Sequence, residues 1–217
     1  MASVQTFYLP HFPSNPIYIA LFKDVSNASF LRQQLLDANT EFDYAFLDAT
    51  MILSSTHLLA ALFRTLNDSL HNRLKSRTIH SEIVFSLSPN NNIAEAFRRF
   101  GISATTNSLI AVKISMSPPS PSNPLSIESV QSHLTRVVQG TQMVFSDETL
   151  LGLTDLERLR KVYKLDSGKV GGGGAGKKGR NGKEESVVNG MNGFEDEVDG
   201  RLEMESVILG IMALKGS

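Results

Sequence analysis

Lys75, Arg77 and three consecutive asparagines, Asn90, Asn91 and Asn92, are the side chains whose types and spacing suit a definable chemistry: holding an anion such as a phosphate. The two cations supply charge. An asparagine turn just ahead of an amphipathic segment supplies amides and backbone N–H groups at the positive end of a helix dipole. The plainer reading is that the cations complement a helix end and the asparagines form a turn and an N-cap, with no ligand involved.

Catalysis finds no comparable grouping. The five histidines (His11, His57, His71, His80, His133) show no H-x-x-x-H pair and no carboxylate at ligand spacing, so structural roles are expected and no metal site is assigned. Asp43 and Asp48 flank a short apolar run, and no G-x-S-x-G elbow occurs. Gly171, Gly173 and Gly176 fit G-x-G-x-x-G, and residues 171–178 almost fit a P-loop. Lys178 stands where that loop needs a hydroxyl for Mg²⁺, and neither a buried strand before it nor a helix after it is indicated. Both matches follow from glycine-rich composition. The chain is expected to be no enzyme, to need no cofactor and to take no small-molecule substrate.

The elements that position the candidate residues are read from periodicity. Ile83, Val84, Phe85 and Leu87 form a short apolar run bounded by turn residues, which predicts a buried strand ended by Ser88 and Pro89. Asn92 then caps a helix, Glu95 completes a capping-box-like pair, and Ile93, Ala96, Phe97 and Phe100 give one apolar face. Gly101 suits a Schellman stop. Lys75 with Arg77 and the asparagine turn therefore fall at the two ends of one element. Upstream, residues 17–22 predict a strand, 27–36 a helix, and 44–47 a strand. A long helix follows with Ser55 or Thr56 as its N-cap and Leu58, Leu59, Leu62, Phe63, Leu66 and Leu70 along its stripe. Downstream come a strand at 108–114, a Ser/Pro-rich loop at 115–124, a helix at 127–138, a strand at 142–145 and a helix at 155–165.

Composition limits the rest. With 217 residues and 41% hydrophobic content, one domain is expected. The net charge of -1 gives no global attraction to nucleic acid or acidic membranes, so any such binding needs a local patch. There is no cysteine, hence no disulfide frame, and no apolar run approaches membrane-spanning length. Together with the lack of a signal-like start, this predicts a soluble intracellular protein in cytoplasm and nucleus. Residues 168–200 hold 11 of the 16 glycines, a basic half and an acidic half, too little apolar surface to offset ordering entropy. The expected division is a globular domain at 1–166, a disordered glycine-rich insertion at 167–200 and a C-terminal helix at 201–217. In that helix Met204, Val207, Ile208, Ile211 and Met212 recur at i, i+3, i+4, i+7 and i+8, an apolar stripe.

The stretch from Arg77 to Gly101, RTIHSEIVFSLSPNNNIAEAFRRFG, resembles the KEOPS/EKC complex subunit family of TPRKB, the PRPK-binding protein. IALFKDVSNASFLRQQLL (residues 19–36), Gly140 to Gln142, and LTDLERLRKVYKL (residues 153–165) are similar to the opening and closing parts of its globular body. The resemblance implies a compact single α+β domain with a mixed, largely antiparallel sheet flanked by helices. It also implies a non-catalytic subunit of the complex that installs N6-threonylcarbamoyladenosine in tRNA. Such a subunit binds and modulates the N-lobe of the complex's atypical Ser/Thr kinase/ATPase, meets the other subunits indirectly, and helps capture the tRNA 3′ CCA end. Roles in telomere maintenance and transcription are reported for the family. On this reading Met204, Val207, Ile208, Ile211 and Met212 bind the kinase, and Lys75, Arg77, Asn90, Asn91 and Asn92 bind tRNA. The insertion and the Ser/Pro loop are longer than the family's usual connections. A free-standing kinase regulator without RNA contact is the alternative.

Overall fold

Alternate side chains of a strand point to opposite faces, and the central strand here is buried on both. In β2 (Phe12–Lys23), Ile17, Ile19 and Leu21 face one core while Tyr18, Ala20 and Phe22 face another. That is why residues 17–22 read as a continuous apolar run. The computed structural model describes residues 3–116, 125–165 and 192–215, the side chains of 192–199 excepted. β1 (Gln5–Leu9), β2, β4 (Leu109–Ile114) and β3 (Ala45–Asp48) lie in the order β1-β2-β4-β3, and β5 (Thr141–Met143) pairs with the far end of β2. The α+β class and the largely antiparallel sheet agree with expectation. All four pairings among the described residues are antiparallel.

Helices cover both faces. On one side lie α1 (Ala28–Leu36) and α5 (Ile127–Val137), contributing Leu31, Val130 and Leu134. On the other lie α2 (Ser55–Leu70), α3 (Ile79–Leu87), α7 (Leu156–Tyr163) and α8 (Asn192–Leu214), with α4 (Ile93–Phe100) and the short α6 (Asp147–Leu151) adding Phe100 and Leu150. Several ends are fixed as the sequence suggests. Asn92 accepts the Glu95 N–H at 3.0 Å, and Asp155 accepts that of Arg158. The reciprocal half of the expected capping box is not made: the Glu95 carboxylate pairs with Arg98 and Arg99, and the Asn92 N–H donates to the Asn90 side chain.

Several expectations need correction. Residues 83–87 form no strand but the body of α3, which starts where the Thr78 side chain accepts the Ser81 N–H. Every residue of 82–87 is buried, so the apolar run shows neither a period of two nor one of 3.6, and length alone favoured a strand. Gly101 is not in a left-handed stop but extended, with φ -77° and ψ 165°. It is glycine because a Cβ there would sit 2.7 Å from the Phe97 carbonyl oxygen. The N-cap of α2 is Ser54, one residue before the nearer of the two expected caps, Ser55 and Thr56. β1 and α6 are additional to the expected elements. The final helix begins at Asn192, so 192–200 are helical.

The Ser/Pro loop from 117 and the glycine-rich insertion up to 191, including the P-loop-like match, lie outside the described residues. Leu165 before the insertion and Gly200 after it line one groove. Replacing residues 166–191 with a short Gly/Ser linker is therefore expected to move the thermal midpoint by no more than a few degrees. Loop closure costs only about 0.6 kcal/mol per doubling of length. A large fall in midpoint contradicts this, and loss of ATP binding would show that the glycine tract holds a nucleotide after all.

Candidate partner-binding surface

α8 turns its residues by about 100° each, so Met204, Ile208 and Met212 fall in one arc, and all three are buried in the domain's own core. Val207 and Ile211 lie in the adjoining arc. Val207 is 49% exposed, and both line an open groove of about 430 Å³ between α7 and α8 with Arg160 and Lys164. The structure thus divides the apolar stripe: Met204, Ile208 and Met212 hold the helix to the domain, Ile211 is half-buried against the same core, and Val207 remains at the surface. Leu202, 56% exposed, lies on a different side of the helix.

Polar contacts fix α8 at both ends. Arg201 donates to the Leu53 carbonyl at 2.9 Å, and Ser54 Oγ donates to Glu205. The guanidinium of Arg64 on α2 donates to the carbonyls of Met212 and Lys215. Both carbonyls lie at the C-terminal end of the helix, where a cation complements the dipole. The apolar periodicity of α8 was legible; Arg64, Ser54 and Lys215 were not, because nothing local to them marks a contact about 150 residues away.

The second candidate set brackets α3. Lys75 and Arg77 are exposed just before it, and Asn90, Asn91 and Asn92 are exposed just after it. The length of α3, about 14 Å at 1.5 Å per residue, separates the two groups. Each is ordered locally. The Asn90 side chain accepts the Asn92 N–H at 3.1 Å, and Ser88 bonds Asn90, so those side-chain oxygens serve the turn, while Asn91 has no bond among the described residues. The carboxylate of buried Glu82 accepts the N–H of Lys75 at 3.0 Å and both the N–H and the hydroxyl of Ser76, at 2.7 and 2.6 Å. Glu82 is the residue the sequence reading missed. A carboxylate directly preceding the apolar run Ile83, Val84 and Phe85 was the available signal.

Buried histidines have structural roles. His80 accepts the Ile114 N–H through Nε2 and so donates from Nδ1 to Asp43 at 2.9 Å. This bond holds the Asp43 carboxyl below its ordinary range, while burial lowers His80. Lys113 donates to the Asp43 carbonyl and lies 3.5 Å from its carboxylate. Among the described residues, no group of three or more histidines, aspartates or glutamates is placed to hold a metal, and no helix is long and apolar enough to cross a membrane.

The sequence model of the family described as kinase binding protein CGI-121 matches residues 22–216, a span that includes α2, α3, α7 and α8. The chain belongs to that family. The EKC/KEOPS complex subunit cgi121 of Aspergillus terreus is 46% identical over 216 residues, covering 100% of this chain and 98% of the relative. That of Coccidioides immitis is 44% identical with 100% of both covered. The Schizosaccharomyces pombe subunit is 37% identical over 158 residues, 73% of this chain and 87% of the relative. The family read from residues 77–101 is thus the one the whole chain matches, and it is named for binding rather than for a reaction.

Proposed function

We propose that this chain is a non-catalytic subunit of an EKC/KEOPS complex that modifies tRNA to N6-threonylcarbamoyladenosine, docking the complex's atypical Ser/Thr kinase/ATPase through the outer flank of α8. The observation that carries the reading is family membership over residues 22–216, with relatives that are EKC/KEOPS subunits over their whole length. The exposed Val207 beside half-buried Ile211 supports the choice of surface, since apolar side chains left over after a helix has packed its core face suit a partner. The docking partner is the N-lobe of that kinase, in keeping with the resemblance. The chain works in cytoplasm and nucleus on this reading. Co-elution of the chain with the kinase subunit from a sizing column tests this directly; separate elution at micromolar concentration counts against it.

tRNA is the second partner in this reading. Lys75 and Arg77 suit phosphates, and the asparagine turn suits exposed base edges near the single-stranded 3′ end. The two groups flank one short helix, α3. Lys75→Ala with Arg77→Ala is expected to weaken tRNA binding and to flatten its salt dependence by roughly 0.7 in slope for each phosphate that is no longer neutralised. Trimming the CCA end should have the same direction of effect. Equal binding of intact and trimmed tRNA by mutant and unmodified protein favours a kinase regulator without RNA contact.

A further inference from the structure

The connection from α2 to α3, residues 71–78, sets one hydroxyl among cations and against a buried carboxylate. Ser76 stands between exposed Lys75 and Arg77, and Arg73 precedes it by three residues. No other arginine of the chain has a serine or threonine three residues on. A protein kinase with an acidic substrate groove selects its acceptor by cations on the N-terminal side, and an arginine at this spacing is the commonest such mark. The Arg73 side chain is 55% exposed, 3.1 Å from Asp68. The segment around it belongs to no helix or strand, so it can take the extended form that a kinase groove receives.

The Ser76 hydroxyl donates to the Glu82 carboxylate at 2.6 Å and lies 3.1 Å from the Thr78 carbonyl. Glu82 is only 1% exposed and also accepts the N–H groups of Lys75 and Ser76. One buried carboxylate thus holds the loop through three donors, and one of the three is an oxygen that can carry phosphate. Thr78, the other hydroxyl of the segment, has lysine rather than arginine at that spacing and serves as the N-cap of α3.

We propose that Ser76 is a phosphorylation site for an arginine-directed Ser/Thr protein kinase, and that its phosphate releases the Lys75–Arg77 loop. The γ-phosphoryl group of ATP passes to Ser76 Oγ. The new O–P bond forms as the bridge to the β-phosphate breaks, ADP leaves with that electron pair, and the hydroxyl proton goes to the kinase's catalytic base. A phosphoserine carries about −1.5 to −2 charges at neutral pH, and its dianion has no hydrogen to give Glu82. Glu82 is enclosed and cannot turn to water, so two like charges meet where a hydrogen bond stood. The loop moves out, and the phosphate pairs with Lys75 and Arg77 in place of an external anion. Loss of tRNA binding on phosphorylation rests on the RNA reading above; the modification and the loosening of the loop do not.

The test is incubation of the full chain with calmodulin-dependent protein kinase II and Mg–ATP, followed by mass spectrometry. One phosphate is expected, at Ser76. Arg73→Gln should slow its incorporation about tenfold, the effect of losing one hydrogen-bonded cation, and Ser76→Ala should abolish it. In the phosphorylated chain, hydrogen exchange of the Lys75 and Ser76 amides should quicken about tenfold, whereas Ser76→Ala, which brings no charge, should change it less. No phosphate at Ser76, incorporation indifferent to Arg73, or unchanged loop exchange in the phosphorylated chain overturns the proposal. tRNA titrations separate the two readings. If Lys75→Ala with Arg77→Ala weakens binding while Ser76 takes no phosphate, the modification site fails and the RNA site stands. If Ser76 is phosphorylated and the loop loosens, yet neither the phosphate nor the double variant alters tRNA binding, the modification site stands and the RNA site falls.

Discussion

Aspartate at position 208 is expected to unfold the domain, not simply to detach a partner. Ile208 is fully buried between Met204 and Met212, in the core that also holds Leu58, Leu62 and Ile83. Removing the isoleucine side chain forfeits about 2–5 kcal/mol, and burying a carboxylate with no cation beside it adds several more. A domain of this size is stable by about 5–15 kcal/mol, so the sum is a large share of the whole. In urea, Ile208→Asp should lose its native baseline or shift its midpoint far down. A midpoint close to that of the unmodified protein would mean that α8 is an appendage rather than part of the core.

Acid is expected to destabilise the protein well before its carboxylates are all protonated. His57 is completely buried, accepts the Leu53 N–H at Nδ1 and bonds the Tyr163 hydroxyl through Nε2 at 2.9 Å; Tyr163 in turn donates to the Leu87 carbonyl. Every position is used by the neutral ring, with Nε2–H donating. A second proton at Nδ1 opposes the Leu53 N–H, and burial pushes the group down to about 3 from its ordinary 6.5. The folded state therefore takes up fewer protons than the unfolded chain between those values. Stability from this group is complete above pH 6.5 and falls as the pH drops toward 3, by at most about 1.4 kcal/mol per unit. Burial of His80 acts in the same direction. Urea unfolding at pH 7, 6, 5 and 4 should show a loss of about 2–4 kcal/mol. His57→Asn, whose side-chain oxygen can accept from Leu53, should be weaker at pH 7 but flatter toward acid. A profile level to within about 1 kcal/mol from pH 6.5 to 4 contradicts this role.

Local signals were the ones the sequence carried openly. Asn92 with Glu95, Asp155 with Arg158, and the leucine stripe of α2 each announce an element through contacts made within one or two turns, and the structure has them within a residue or so. α3 reads as a strand for the opposite reason. Its residues 82–87 are buried all round, so tertiary packing erased the period that distinguishes helix from strand. β1 was hidden because its burial is only partial and its partner strand carries Pro13 and Pro16 near the turn. At the surface, the stripe of α8 was visible, but a stripe does not say whether its partner is the same chain. Three of its five residues face inward. Glu82, Lys215 and Arg64 had no local signature beyond charge in apolar surroundings, and their contacts cross up to about 150 residues.

Adjacent residues of α8 allow the central claim to be tested on a single helix. Val207 is half exposed, whereas Ile208 is buried, so Val207→Asp changes the outer flank without placing a charge in the core. The measurement is the affinity of this variant for the kinase subunit by titration calorimetry, alongside its thermal melt. The account predicts a melt like that of the unmodified protein and a loss of about 2 kcal/mol in binding, roughly thirtyfold in Kd, as expected for a desolvated apolar anchor. An unchanged Kd with an unchanged melt contradicts the outer flank of α8 as the docking surface.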